Sequence, residues 1–200
     1  MRKIASLFFA LMSVVAASAQ MSSAEWLSAL DKSLGERYGM YISVAMADQE
    51  PISGYFMVDG DGYYITLGVM EVYSDGKLRY EINNERKEAT IDSVDLSSCD
   101  LLTNPTNAFG FVDEEFAISI VASSESECVL SLVPRDDAMG VTEILLALER
   151  SGSRVVPQSI TYDYDGERID IALKREDVAE KSLPRWDKDA YRAYDVVSFL

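Results

Sequence analysis

Side chains that usually perform chemistry are scarce in this chain. Its 200 residues include no histidine and only two cysteines, Cys99 and Cys128. That removes histidine-based nucleophile triads, histidine acid–base catalysis and His/Cys zinc sites together. Carboxylates are plentiful, with 34 Asp and Glu, and pairs such as Asp92 with Asp95 or Glu114 with Glu115 have the residue types used in glycoside hydrolysis. At this density such pairs arise by chance, so we assign no catalytic residue, metal ligand or cofactor. Asp59-Gly60-Asp61-Gly62 invites comparison with a calcium loop, but it lacks the regular acidic spacing and the closing bidentate glutamate. It reads instead as a hairpin turn. What remains is recognition by apolar surface, and the question becomes which elements build that surface.

Residues 53–94 are the organising stretch. Short apolar runs separated by Asp-Gly, Asn-Asn and Gly-rich breaks, about every 8 to 12 residues, predict consecutive antiparallel strands. Within them Leu78, Tyr80 and Ile82 alternate with Lys77, Arg79 and Glu81, which predicts one dry and one wet face. Tyr63, Ile65, Leu67, Met70 and Val72 are expected to join the dry one. Upstream, residues 22–38 predict a helix: Ser22 and Glu25 make a capping box, Trp26, Leu27, Leu30 and Leu34 share a stripe, and Gly39 can end it. Residues 40–47 follow as a strand, with Ile42, Val44 and Met46 on one side.

Residues 1–19 read as a leader rather than as part of the fold. Arg2 and Lys3 precede an apolar run over residues 4–16, and Ala17-Ser18-Ala19 before Gln20 is a small-residue cleavage site, the pattern of a secretory signal peptide. The run is too short to span a bilayer. Losing Arg2 and Lys3 takes the formal charge from −16 to −18, which disfavours nucleic acid and anionic membrane surfaces as partners. Residues 20–200 have the length of one domain with a sizeable core, and nothing in them reads as a repeat or linker.

Beyond Val94 the pattern breaks. Asn104 as a cap and Pro105 at the first helical position predict a short helix whose Ala108, Phe109, Val112 and Phe116 line one face. Inserted between strands, it is placed either to seal the sheet or to act as a lid. Strands are expected at residues 117–122, 128–133, 142–148, 155–162 and 168–173, the last two joined by an Asp163-Tyr164-Asp165-Gly166 hairpin. Pro157 suggests an edge or entry position. One more extended piece closes the chain.

Taken in order, Gly54-Tyr55-Phe56, residues 74–81 (Ser-Asp-Gly-Lys-Leu-Arg-Tyr-Glu), Asn104-Pro105, residues 130–134 (Leu-Ser-Leu-Val-Pro), Trp186-Asp187 and residues 194–197 (Tyr-Asp-Val-Val) give the chain its likeness. It resembles a divergent member of the periplasmic outer-membrane lipoprotein carrier proteins, the LolA family, over essentially all of residues 20–200. That resemblance implies a mainly β fold with α: a single curved antiparallel half-barrel of about 10–11 strands, with helices covering its concave apolar face. It also implies a soluble periplasmic, monomeric carrier. Such a carrier holds the acyl chains of lipoproteins, or lipids, in an apolar cavity, loaded by an inner-membrane Lol-type ABC transporter and emptied to an outer-membrane acceptor.

On that basis the cavity is expected to be lined by Val44, Met46, Phe56, Val58, Ile65, Leu67, Met70, Val72, Tyr80 and Ile82, with Leu102, Phe109, Val112 and Phe116 in the lid. Methionines suit flexible ligands. One departure stands out: family carriers latch the lid with an arginine inside the sheet, and no Lys or Arg occurs between Arg37 and Lys77. Cys99 and Cys128, in an exported protein, either form a disulfide tethering the lid or remain buried thiols. The alternative to a carrier is an exported, non-catalytic binding module for polysaccharide or a protein partner. It would have a filled core and would bind through the Tyr-rich outer surface of Tyr64, Tyr73, Tyr162 and Tyr164.

Overall fold

The computed structural model describes residues 21–111, 113–136 and 140–200. Residues 1–19, expected to be a leader, and Val112 of the expected lid lie outside the described residues. One helix, α1 (Ser23–Leu34), precedes the strands. Its predicted capping box forms: the Ser22 hydroxyl accepts from the Glu25 amide at 3.3 Å, and the Glu25 carboxylate accepts from the Ser22 amide at 2.7 Å. Trp26, Leu30 and Leu34 are buried. The helix ends earlier than expected, at Gly35 with φ +65°. Gly39 instead sits within a strand, where a Cβ would lie 2.6 Å from Val178 and 2.7 Å from the Tyr55 hydroxyl.

The strands are β1 (Arg37–Met46), β2 (Ile52–Asp59), β3 (Gly62–Leu67), β4 (Met70–Ser74), β5 (Leu78–Asn83) and β6 (Glu88–Ser93), followed by β7 (Phe116–Ser123), β8 (Glu127–Pro134), β9 (Glu143–Ser151), β10 (Arg154–Tyr164), β11 (Glu167–Glu176) and β12 (Asp195–Ser198). They form a single curved, unclosed sheet in the order β12-β6-β5-β4-β3-β2-β1-β11-β10-β9-β8-β7. Neighbours pair antiparallel except for β12, which lies parallel to β6. Twelve strands replace the expected ten or eleven. The closing extended piece is β12, a four-residue edge strand.

This strand order determines what covers each face. β6 ends near one edge of the sheet and β7 begins at the other, so residues 94–115 must cross the whole sheet, and they do so over the same face as α1. We call this the inner face. β11 lies centrally beside β1, whereas β12 lies beyond β6. Residues 177–194 must therefore cross back, and they run over the outer face. Each face thus receives one long connection.

Turn chemistry sets the register. β10 and β11 are joined by Asp165-Gly166, with Tyr164 opposite Glu167 and φ of +57° and +92° at the two loop residues, the geometry that Asp-Gly favours. A Cβ on Gly166 meets nothing within 4 Å, so Gly166→Ala is purely a backbone test. We expect it to lower stability by about 1–2 kcal/mol, read as a lower urea midpoint. Pro157 is not on an edge strand but lies near the start of β10, the entry position that was the other expectation, at a register shift between Pro157 and Ser159. A bulge there spares the sheet the missing N–H.

Candidate functional site: the inner face and its cover

The inner face is apolar across most of its width. Met40, Ile42 and Val44 of β1, Phe56 and Val58 of β2, Ile65 of β3 and Val72 of β4 form one buried cluster with Ile160, Ile171 and Leu173 from the central strands. Of the residues expected to line a cavity, Val44, Phe56, Val58, Ile65 and Val72 are brought together here. Leu67 is half-buried against the same cluster. Met70 lies on the same face by its pairing with Leu67, and Met46 continues the Ile42 and Val44 side of β1, half-buried at its end.

Tyr80 and Ile82 do not belong to this face. Tyr63 pairs with Ser74, and Ser74 with Arg79, so it is Arg79 and Glu81 that point inward. Tyr80 and Ile82 point outward with Tyr73 and Ala89. The alternation in β5 was legible but its phase was not, because the outer face has an apolar cover of its own. That inward arginine is committed to Glu81 at 2.5 Å.

The inner cover, residues 95–111, is a run of turns rather than the expected helix. Asp100 accepts through Oδ1 from the amides of Leu102 and Thr103, and its carbonyl accepts from the Asn104 amide at 2.8 Å. Buried Asn104 does not cap a helix; its side-chain amide donates to the Asp95 carbonyl at 3.1 Å. Local side-chain bonds of this kind compete with helix formation. Leu101 and Ala108 are fully buried against the sheet, and Leu102 and Phe109 are half-buried there. Phe116, expected in the lid, is the first residue of β7 and packs edge-on against Phe111 at 5.3 Å.

Four tyrosines of the sheet hold the cover down. Tyr38 donates to the Pro105 carbonyl at 2.9 Å and Tyr63 to the Thr103 carbonyl at 3.1 Å. Tyr162 accepts from the Leu101 amide at 2.9 Å and donates to the Cys99 carbonyl at 3.1 Å. Tyr164 donates to the Asp100 carboxylate at 2.7 Å. Burial raises the pKa of all four hydroxyls, so they stay protonated donors at physiological pH. Tyr162 and Tyr164 therefore work inside, not on an outer Tyr-rich surface. The available sequence signal was their phase: Tyr38 with Met40, Tyr63 with Ile65, and Tyr162 with Ile160. Cys99, at the root of the cover, and Cys128 are both free thiols, so the tyrosines and not a disulfide tether it.

The outer cover, residues 177–194, is fixed by aromatics. Trp186 is sandwiched between Tyr80 and Tyr191, with ring centroids 5.1 and 4.8 Å away and planes inclined by 9° and 6°. Glu71 accepts from Tyr73, Tyr191 and Asn84 at 2.6 to 3.0 Å. Burial pushes the Glu71 carboxyl up, but those three hydrogen bonds outweigh it and hold the pKa below the usual glutamate value. A carboxylate depressed in the folded state adds stability above its unfolded pKa, and this is lost as pH falls through the folded one. We therefore expect Trp186 emission, followed in a Trp26→Phe background, to shift red below about pH 4.5 as the strap loosens. Glu71→Gln should remove that transition.

No protein-family model matches the chain, and no curated protein matches it. Among solved structures, an uncharacterised conserved protein from Thermus thermophilus aligns at 14% identity with a TM-score of 0.55, over 88% of this chain and 98% of that one. A LolA superfamily protein from Nitrosomonas europaea aligns at 11% identity over 86% of this chain and 97% of that one, with a TM-score of 0.39. The fold is that of the Thermus protein. MucB, solved in complex with MucA(peri), aligns at 14% identity over 84% of this chain and 58% of that one, with a TM-score of 0.37. It is the Thermus alignment that supports the shared fold, and an identity this low speaks to fold alone. Among the described residues, no helix is long and apolar enough to cross a membrane, and no acidic, Cys or His cluster could hold a metal ion.

Proposed function

We propose that this chain is a periplasmic, non-catalytic carrier, exported by the leader in residues 1–19. In this reading residues 20–200 act as one LolA-like domain that takes the acyl chains of a lipoprotein or a lipid between the inner face and its cover. One observation supports this above all others: the cover is joined to the sheet by a few tyrosine hydroxyls rather than by backbone pairing. It can lift as a unit, exposing Val44, Phe56, Val58, Ile65 and Val72 on one side and Leu101 and Leu102 on the other. The benefit of sheltering acyl chains, about 0.8 kcal/mol per methylene, favours the lifted, loaded state. In the empty state the cover's own side chains fill the space. Loading would come from an inner-membrane ABC transporter of the Lol type and unloading to an outer-membrane acceptor. Native mass spectrometry of protein purified from its own periplasm, followed by lipid extraction, tests this: a stoichiometric lipid or acylated protein is expected.

A second reading, an exported binding module with a filled core, is favoured by the completeness of burial at Leu30, Leu101 and Ala108, each 0% exposed. A ligand-free protein that takes up no fluorescent fatty acid would select it.

A further inference from the structure

The carboxylates outnumber the cations nearly two to one, yet four cations meet around one pocket of about 820 Å³ at the C-terminal end of α1. Lys32 comes from the helix, Arg37 from the start of β1, Arg154 from β10 and Arg175 from β11. The two carboxylates at the pocket offset them only in part. Glu176 is held by Lys181 at 2.7 Å and by the Tyr41 hydroxyl at 2.6 Å. Asp177 accepts from the Ala179 amide of its own turn.

Helix capping accounts for only part of this cluster. Arg175 donates to the Ser33 carbonyl at 2.6 Å, a normal use of a cation at a helix C-terminus. Neither Lys32 nor Arg154 makes an ion pair among the described residues, Arg37 reaches Asp59 only at 3.8 Å, and its Nε is buried without an acceptor. Burial and, after it, Arg154 disfavour the charge on Arg175, and Asp177 offsets them only in part, so positive charge is left in excess at the pocket. Tyr38 and Val178, both buried, supply an apolar wall. Guanidinium forks match tetrahedral oxyanions, and the volume suits a small ligand rather than a bare ion.

We propose that this pocket is a binding site for a phosphate group borne by a small ligand, with Lys32, Arg37, Arg154 and Arg175 as its recognition set. Phosphate chemistry can come from a free anion or from a lipid headgroup, and the site does not depend on whether the cover opens.

Calorimetric titration of the purified protein at low salt tests this with three probes. They are inorganic phosphate, dihexanoylphosphatidylglycerol below its micellar concentration, and the zwitterionic dihexanoylphosphatidylcholine. Arg154→Glu reverses an exposed charge that has no structural partner; Lys188→Glu makes the same change in charge on the outer strap. Phosphate, phosphatidylglycerol or both should bind, at least tenfold more weakly to Arg154→Glu and unchanged to Lys188→Glu. Binding of phosphate alone identifies a free anion as the source, and binding of phosphatidylglycerol alone a headgroup. Failure of both anionic probes overturns the site, as does equal loss in the two variants, no loss in Arg154→Glu, or equal affinity for phosphatidylcholine. Labelling of the inner face by a diazirine-bearing fatty acid, which has no phosphate, bears by contrast on the carrier reading alone.

Discussion

Tyr162→Phe should release the inner cover while leaving the sheet intact. The substitution keeps the ring but removes a hydroxyl that both accepts from the Leu101 amide and donates to the Cys99 carbonyl. Leu101 is fully buried, so its N–H is left without a partner, at a cost of about 1–3 kcal/mol. The penalty falls on the closed state, because in the open state water satisfies both groups. With each 1.4 kcal/mol worth about tenfold in an equilibrium, amides of residues 99–105 should exchange with solvent about 10- to 100-fold faster. Amides of β1, β10 and β11 should be unchanged. Uptake of a fluorescent fatty acid should accelerate in parallel if lifting of the cover limits loading. Unaltered exchange in residues 99–105 would mean that Leu101 and Ala108 packing alone holds the cover.

Trp186→Ala should free the outer strap. The indole is stacked on both sides, by Tyr80 and Tyr191, and anchors a segment that has no regular secondary structure until β12. Losing two ring contacts and the half-buried area is expected to cost about 2–4 kcal/mol. Lys181, Arg185, Lys188 and Arg192 lie in the strap, so trypsin reports on it directly. In the variant the first cuts should fall at these four positions, at least ten times faster than in the unsubstituted protein, and the parallel β12–β6 pairing should be lost with them. First cuts elsewhere, at unchanged rates, would show that the Glu71 hydrogen bonds suffice to hold the strap.

Both predictions depend on features that pattern reading found unevenly. The meander, the hairpin turns and α1 with its Ser22–Glu25 box were legible because they are local: period two, Asp-Gly and a capping box depend on neighbours in sequence. The face assignments were harder. A strand with a wet and a dry side normally turns the dry one to the main core, but β5 has Tyr80 and Ile82 under the strap and Arg79 and Glu81 toward the inner face. Nothing within residues 78–83 tells which cover each side will meet. The cover failed for a related reason. Asn104-Pro105 followed by spaced aromatics is a good helix start, yet Asp100 and Asn104 satisfy the backbone through tight turns, and the anchors that fix those turns lie on β1, β3 and β10. The latch itself, four tyrosines from three strands, exists only once the sheet has assembled. That no Lys or Arg lies between Arg37 and Lys77 is plain in the sequence, but the tyrosine anchors could be found only from the register.

Photo-crosslinking tests the central claim most directly. A diazirine-bearing fatty acid would be loaded onto the purified protein, irradiated, and its attachment sites read by peptide mass spectrometry. We predict attachment to inner-face peptides containing Phe56, Val58 and Ile65 and to the cover peptide containing Leu101, with more label in Tyr162→Phe. Absence of label, or label confined to the strap and the outer face around Tyr80 and Trp186, would contradict a cavity beneath the cover.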